Sequence, residues 1–243
     1  MQVAGETDLQ ARIESERKRI RDEYDRREKE INPSLYGEDN PVETWFIEER
    51  QLVAHGLLSE FGLKPDVSWK ALEIGIGSRG WLPELLDWGL AEENISGIDI
   101  GEARVVSAQK RFPKADLRIG DATRLPWLGE SFDLVIASTV LSSVLDAEVR
   151  RAICNDMVRV VKRGGAIVWY DMRVGNPRNS NVRGIGENEI RELFGALEYR
   201  FQAVTLVPPL ARSVFPIFPV FCHLASKVDF LKTHLLGVFR KKT

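Results

Sequence analysis

Between positions 69 and 171, short runs of apolar residues alternate with stretches in which apolar residues recur every three or four positions. The first pattern predicts strands over 69–74, 95–100, 116–119, 132–138 and 166–171. The second predicts helices over 81–88, 102–111, 146–161 and 187–194. The strand interiors, such as Asp133-Leu134-Val135-Ile136-Ala137, are nearly continuous apolar runs. Such runs fit burial on both faces, and strands alternating with helices point to crossover units and a parallel sheet.

The flanking segments read differently. Residues 8–30 are dense in both signs of charge and carry a thin apolar stripe at Leu9, Ile13, Ile20, Tyr24 and Ile31. This predicts a solvated helix docked by one narrow face, or else a lid or pairing helix, stopped at Asn32-Pro33-Ser34. Residues 41–62 predict a second helix with an apolar face of Trp45, Phe46, Leu52, Val53, Leu57, Leu58 and Phe61. Residues 199–207 and 234–240 read as strands. Between them lies 214–225, apolar but broken by Pro216 and Pro219 and too short to span a bilayer. The expected organisation is an N-terminal helical cap over 1–64 and a catalytic unit over 65–243.

Composition narrows the class. The chain has 243 residues, 44% hydrophobic and 29% charged, with a formal net charge of -2. These values suit a soluble α/β protein and give no electrostatic support for nucleic-acid binding. Cys154 and Cys222, far apart in sequence, suggest a reducing, cytoplasmic compartment rather than a disulfide framework, and Cys154 falls in an apolar helical pattern that reads as core. His55, His223 and His234 have no metal-ligand spacing, so no metal is expected.

The chemistry concentrates in Lys70-Ala71-Leu72-Glu73-Ile74-Gly75-Ile76-Gly77-Ser78-Arg79-Gly80-Trp81. A strand ends in a buried-looking carboxylate, a glycine-rich turn follows, and a helix begins. Glycines let the backbone approach a nucleotide-like ligand closely. Asp99 closes the second strand, 19 residues after Gly80, where a carboxylate can accept from ribose hydroxyls. The competing reading makes it a helix cap. Gly120-Asp121-Ala122 follows the third strand; Asp121 can accept from an exocyclic amine or simply make a turn. Ser138 follows the fourth strand beside the same crevice.

These motifs, in this order, with Ser131-Phe132-Asp133-Leu134-Val135 and Arg159-Val160-Val161-Lys162-Arg163-Gly164-Gly165, resemble the class I S-adenosylmethionine-dependent methyltransferases. The resemblance covers roughly 69–171. It implies an α/β, Rossmann-like fold: a mostly parallel seven-stranded sheet with helices on both faces and an antiparallel last strand. It implies S-adenosylmethionine as cofactor, with S-adenosylhomocysteine as product. Gly75 and Gly77 would face its methionine part, and Glu73 would support the loop and the amino group. Asp99, with Ile100 beside it, would bind the ribose; Asp121 and Ala122 would hold the adenine. Many relatives carry a histidine after the fourth strand, but here the stretch is Leu141-Ser142-Ser143-Val144.

The acceptor is expected at the polar loop after the fifth strand, with Asp171 as general base and Tyr170, Arg173 and Arg178 as acceptor contacts, the arginines suited to a phosphate or carboxylate. An Asp171–Arg173 structural ion pair is the competing reading. The stretches 170–179 and 205–212 also resemble a bacterial subgroup associated with glycosyltransferase and surface-polysaccharide clusters. That resemblance implies O-methylation of a small molecule or of a sugar or glycan hydroxyl. It would also allow a lipid-linked acceptor and a peripheral membrane contact by 214–225. The rival readings are a nicotinamide-dependent oxidoreductase, which leaves Glu73 with Gly120-Asp121-Ala122 unexplained, and a non-catalytic scaffold subunit.

Overall fold

The computed structural model describes residues 2–30, 40–176 and 179–243. The expected helix stop at Asn32-Pro33-Ser34 and the last stripe residue, Ile31, lie outside them. Among the described residues, seven strands form one sheet in the order β3-β2-β1-β4-β5-β7-β6. They are β1 (Ala71–Ile74), β2 (Ile95–Asp99), β3 (Asp116–Ile119), β4 (Phe132–Ser138), β5 (Val161–Met172), β6 (Glu198–Leu206) and β7 (Lys232–Arg240). The first five pair in parallel. β7 is antiparallel to both β5 and β6 and lies between them. The carboxyl ends of β1 to β6 and the start of β7 therefore share one edge of the sheet.

Helices cover both faces. α1 (Gln2–Glu30), α5 (Ala147–Val160) and α6 (Glu187–Phe194) lie on one side; α2 (Pro41–Glu60), α3 (Leu82–Asp87) and α4 (Glu102–Arg111) lie on the other. The alternation of side chains along each strand divides the core accordingly. Leu72, Ile74, Val135, Ile167 and Trp169 face α5, whereas Ala71, Leu134, Ile136, Val168 and Tyr170 face α2 and α3. Cys154 is buried on the α5 side, where burial pushes its thiol up to about 12 and keeps it out of nucleophilic chemistry.

Local chemistry sets several helix starts. Asn40 caps α2 by accepting from Val42 N at 3.0 Å, and Pro41 occupies a first-turn position where no donor is needed. Asp146 caps α5 by accepting from the amides of Glu148 and Val149. α2 inserts Val53, Ala54, Leu57 and Leu58 into the core it shares with β1 and β4. Each fully buried leucine contributes about 1.5–3 kcal/mol. Residues 41–60 thus share the core of the unit expected to begin at 65. Leu52, expected on the apolar face, instead points to solvent with 76% of its surface exposed. The opposite end of α2, Val42, Trp45 and Phe46, packs under α7 (Pro208–Val214) and α8 (Pro219–Ala225). The proline-broken segment 214–225 thus holds the last residue of α7, a turn and the short helix α8.

Candidate functional site

The glycine turn joins β1 to α3 at the carboxyl edge of the sheet. Gly75, Gly77 and Gly80 all have positive φ, +72°, +60° and +63°, which residues with a Cβ adopt only with strain. Gly75 donates its amide to Ile98 O at 2.8 Å, and Gly77 donates to Asp99 Oδ2 at 2.9 Å. The loop is therefore held against the end of β2. A Cβ on Gly75 would meet Val140 at 2.5 Å, whereas one on Gly77 would meet nothing nearer than 3.9 Å. Gly77 leaves open the concavity that the turn encloses.

Glu73 sits beneath this turn with no exposed surface. Its Oε1 accepts from Trp81 N at 2.8 Å, while Oε2 is buried and has no partner among the described residues. Burial, with help from nearby Glu84, raises its carboxyl to about 8, against the pull of the Trp81 amide. An orphaned buried carboxylate oxygen is costly, and a ligand cation is one way to offset that cost.

Asp99 is 5% exposed and holds three donors: Gly77 N on Oδ2, and Gly101 N at 2.7 Å and Arg104 Nη1 at 3.2 Å on Oδ1. A carboxylate offers roughly four acceptor sites, so about one remains for a ligand hydroxyl. The ribose contact and the cap-like bond to Gly101 are both compatible with this geometry. Ile100 follows, half-buried. At the next strand end, Asp121 Oδ1 accepts from Thr123 N at 2.6 Å, the turn bond of the competing reading. Its Oδ2 faces Arg17 Nε at 3.5 Å. Ala122 and Ser138 are half-buried beside them.

Helix α1 brings Arg17 there, and it crosses the same edge at further points. The Arg104 guanidinium lies 3.9 Å over the Tyr24 ring. Glu16 accepts from Asp146 N at 2.5 Å, and Arg19 donates to Ser143 O at 2.5 Å. Ile13 is buried in the α5-side core, with Leu9 and Ile20 beside it. The narrow stripe docks as expected, while the charged flank reaches residues that line the nucleotide side of the cleft.

A second group of polar side chains occupies the α2 face of the same edge. Tyr170 donates to or accepts from Thr205 Oγ1 at 2.8 Å, and its ring stacks on His234 at 4.9 Å between centroids, 5° from parallel. Thr205 has φ +65° and donates its amide to Glu49 Oε2 at 2.8 Å. A β-branched residue at positive φ is backbone strain, here stored at the mouth of the sheet. Arg50 spans the two groups: it donates to Gly80 O at 3.3 Å, covers Trp81 at 4.7 Å and lies 5.9 Å from the Tyr170 ring. Burial, aided by Arg50, lowers His234 to about 4, so its imidazole is neutral at ordinary pH. Its Nδ1 pairs with Thr233 Oγ1 at 3.0 Å. Nothing in the sequence singled out His234, Thr205, Glu49 or Arg50. A lone histidine in a terminal strand, or an arginine in a charged helix, carries no motif.

The residues expected at the acceptor are distributed differently. Tyr170 is in this group. Asp171 points to the opposite face and is fully buried; its oxygens accept from Ser142 N and Met172 N, both at 2.9 Å. Although burial raises it to about 6, its carboxylate is committed to the 3-10 turn Leu141–Ser143 and has no open side for an acceptor proton. In the structure Asp171 anchors this turn, on the face away from Tyr170 and His234. Arg173 is also committed: Nε donates to Lys232 O at 2.9 Å and Nη2 donates to Asp229 O. It neither pairs with Asp171 nor presents an open fork for a phosphate. Arg178 lies outside the described residues.

Comparison with known proteins agrees with this architecture. Residues 72–169 match the family model described as a methyltransferase domain. The demethylmenaquinone methyltransferase of Thermotoga maritima is 28% identical over 109 residues, covering 45% of this chain and 46% of the relative. The phthiotriol/phenolphthiotriol dimycocerosates methyltransferase of Mycobacterium tuberculosis is 29% identical over 126 residues, 51% of this chain and 45% of the relative. The chain therefore spans about half the length of these curated relatives. Among solved structures, the N-methyltransferase NodS from Bradyrhizobium japonicum WM9, in complex with S-adenosyl-L-homocysteine, superposes with a TM-score of 0.60 at 19% identity, covering 85% of this chain and 90% of that one. The matched domain, the strand order and the glycine turn at the carboxyl edge agree: residues 72–169 match a methyltransferase domain, set in a sheet of the Rossmann-like kind found in class I S-adenosylmethionine-dependent methyltransferases.

Proposed function

We propose that this protein transfers a methyl group from S-adenosylmethionine to a hydroxyl of a small molecule or of a sugar or glycan. The Glu73 Oε2 beneath the Gly77 turn, without a hydrogen-bond partner among the described residues, is the observation that carries the reading: the cofactor's amino group is a donor and cation suited to it. When bound, the cofactor's sulfonium supplies an already activated methyl. On this reading Gly75 and Gly77 admit the methionine part and Asp99 accepts from the ribose with Ile100 alongside. Asp121 and Ala122 hold the adenine, and Ser138 lines the crevice. Residues 65–243 form the catalytic unit; residues 1–64 cap it, α2 through the shared core and α1 across the mouth.

Calorimetry tests the donor. S-adenosylhomocysteine is expected to bind and NAD is not; tight NAD binding with no S-adenosylhomocysteine binding would return the site to the oxidoreductase reading. Asp99→Ala should weaken S-adenosylhomocysteine about 10- to 100-fold, since a hydrogen bond to a charged group contributes about 1.5–3 kcal/mol. Unchanged affinity in a folded variant would leave Asp99 as a cap alone.

On the acceptor side, orientation beside the methyl supplies most of the rate, and a base supplies about 10²–10⁴-fold more. The half-buried His234 imidazole, fixed by Tyr170 and Thr233 and kept neutral by burial and Arg50, is proposed to orient the acceptor hydroxyl by hydrogen bonding; held to about 4, it is too weak a base to take the proton itself. His234→Ala should lower kcat with little change in cofactor affinity. Asp171→Asn should lower the melting temperature more than it lowers kcat. The reverse ranking in steady-state kinetics would reinstate Asp171 as the base.

A further inference from the structure

We propose that the surface formed by residues 217–230 docks on an anionic lipid bilayer and sets the mouth of the site against it. Ile217, Phe218, Val220, Phe221, Leu224 and Phe230 are each 54–79% exposed. α8 shows how this arises. Its inward side, Cys222 and Ala225, packs on Trp45, Phe46 and Leu206, as a docked surface helix should. Its outward side, where such a helix normally carries polar residues, bears Val220, Phe221 and Leu224. The preceding turn and the segment that follows add Ile217, Phe218 and Phe230. Prolines at 216 and 219 keep the helices short, so the apolar side chains project as a cluster rather than folding inward along one long helix.

Charge selects the bilayer as occupant. The chain has a formal net charge of -2, but from 208 to 233 Arg212, Lys227 and Lys232 stand against the single carboxylate Asp229; Arg212 pairs with Glu43 at 2.7 Å, which leaves Lys227 as the charge the surface presents. Asp229 is itself paired with Lys232 at 3.3 Å, and Lys227 is exposed with no ion partner among the described residues. An apolar cluster beside an unpaired lysine matches an acyl boundary under anionic headgroups, while the acidic remainder of the protein is repelled. No helix among the described residues is long and apolar enough to cross a membrane, so the contact is peripheral.

Position gives the contact a use. The segment leaves β6 at Leu206 and enters β7 at Lys232, on the sheet edge that bears Tyr170, His234 and the glycine turn. Arg173, directly after β5, donates to Asp229 O and Lys232 O and ties the docking segment to the site loop. An acceptor embedded in or anchored to the bilayer would reach the site without leaving the membrane. The docking stands on the surface alone; delivery of a lipid-borne acceptor rests on the methyl-transfer reading above.

Sedimentation of the full chain with vesicles tests it, alongside calorimetry with S-adenosylhomocysteine on the same preparations. The protein is expected to pellet with phosphatidylcholine vesicles containing phosphatidylglycerol and much less with phosphatidylcholine alone. Phe221→Asp/Phe230→Asp should reduce partitioning by about tenfold or more, and Lys227→Glu should remove the preference for the anionic lipid. All the substituted residues are exposed, so the melting temperature and S-adenosylhomocysteine affinity should stay unchanged. Wild-type protein that ignores both vesicles overturns the proposal. So does a double variant that binds as well as the parent, or one whose only change is from oligomer to monomer, which would assign the patch to a second copy. Failure of the docking with intact S-adenosylhomocysteine binding leaves the methyl-transfer reading standing; vesicle binding without S-adenosylhomocysteine binding does the reverse.

Discussion

Gly80→Ala is expected to lower the melting temperature by about 5–20 °C. A Cβ at this position would stand 2.6 Å from Ile76 O and 2.7 and 2.9 Å from the two Glu73 carboxylate oxygens. Neither neighbour can give way: one is backbone, and the other is pinned by the Trp81 amide. The left-handed backbone, φ +63°, adds about 1–2 kcal/mol for an L-residue, and forcing a methyl into filled space costs about 1–3 kcal/mol more. A protein of this size loses roughly 2–4 °C per kcal/mol. Gly77→Ala is the informative control. Its added methyl meets nothing nearer than 3.9 Å and projects into the open turn, so it should carry only the backbone cost of φ +60°, about 1–2 kcal/mol, without the clash, and should cost cofactor affinity as well. Thermal denaturation of the two variants separates them; equal melting temperatures would mean that the turn around Gly80 is not packed as described.

Glu73 should make stability depend on pH in a direction unusual for a carboxylate. Its folded value, about 8, lies above the ordinary 4.5, so burial favours the protonated form. The associated stability is fully present below about 4.5 and is lost as pH rises towards 8. By linkage its size is up to roughly 5 kcal/mol. Asp171, raised to about 6, acts in the same direction, whereas His234, lowered to about 4, loses its contribution as pH falls from 6.5. The comparison that isolates Glu73 is therefore between parent and Glu73→Gln. The parent's melting temperature should fall between pH 5 and 9 by several degrees more than that of the variant. If the cofactor's ammonium neutralises this carboxylate, the stabilisation by S-adenosylhomocysteine should grow over the same range in the parent only. Parallel pH profiles for the two proteins would show that Glu73 is ionised in the apo fold.

Much of this was legible from the chain. The parallel core follows from runs such as Asp133 to Ala137, whose continuous apolarity suits strands covered on both sides. The glycine turn is readable because three positive-φ positions admit little other than glycine. The remainder depended on tertiary proximity. Arg17 sits in a helix so rich in charge that it looks solvated, and Tyr24 reads only as part of that helix's thin apolar stripe; the path of α1 brings them to Asp121 and Arg104. Arg173 read as a ligand fork, yet two backbone carbonyls claim it. Thr205 adopts a conformation its residue type argues against, and His234 gains meaning only from stacking on a tyrosine over sixty positions away. Asp171 was recognised as important from its place at a strand end, but the direction of its side chain set its task.

The insertion of β7 between β5 and β6 has a consequence for how the molecule assembles. β6 is made first, but its hydrogen-bonding partner is the strand that follows it in the chain, and that strand must also find β5. Until then β5 ends the parallel sheet as an open, apolar edge, and β6 has no ladder to join. Such edges are templates for pairing with other chains. During synthesis on the ribosome the first five strands can order themselves as they emerge, whereas closure waits for residues 232–240. That interval is the nascent chain's period of greatest exposure to aggregation and the point at which a holding chaperone would have most to protect.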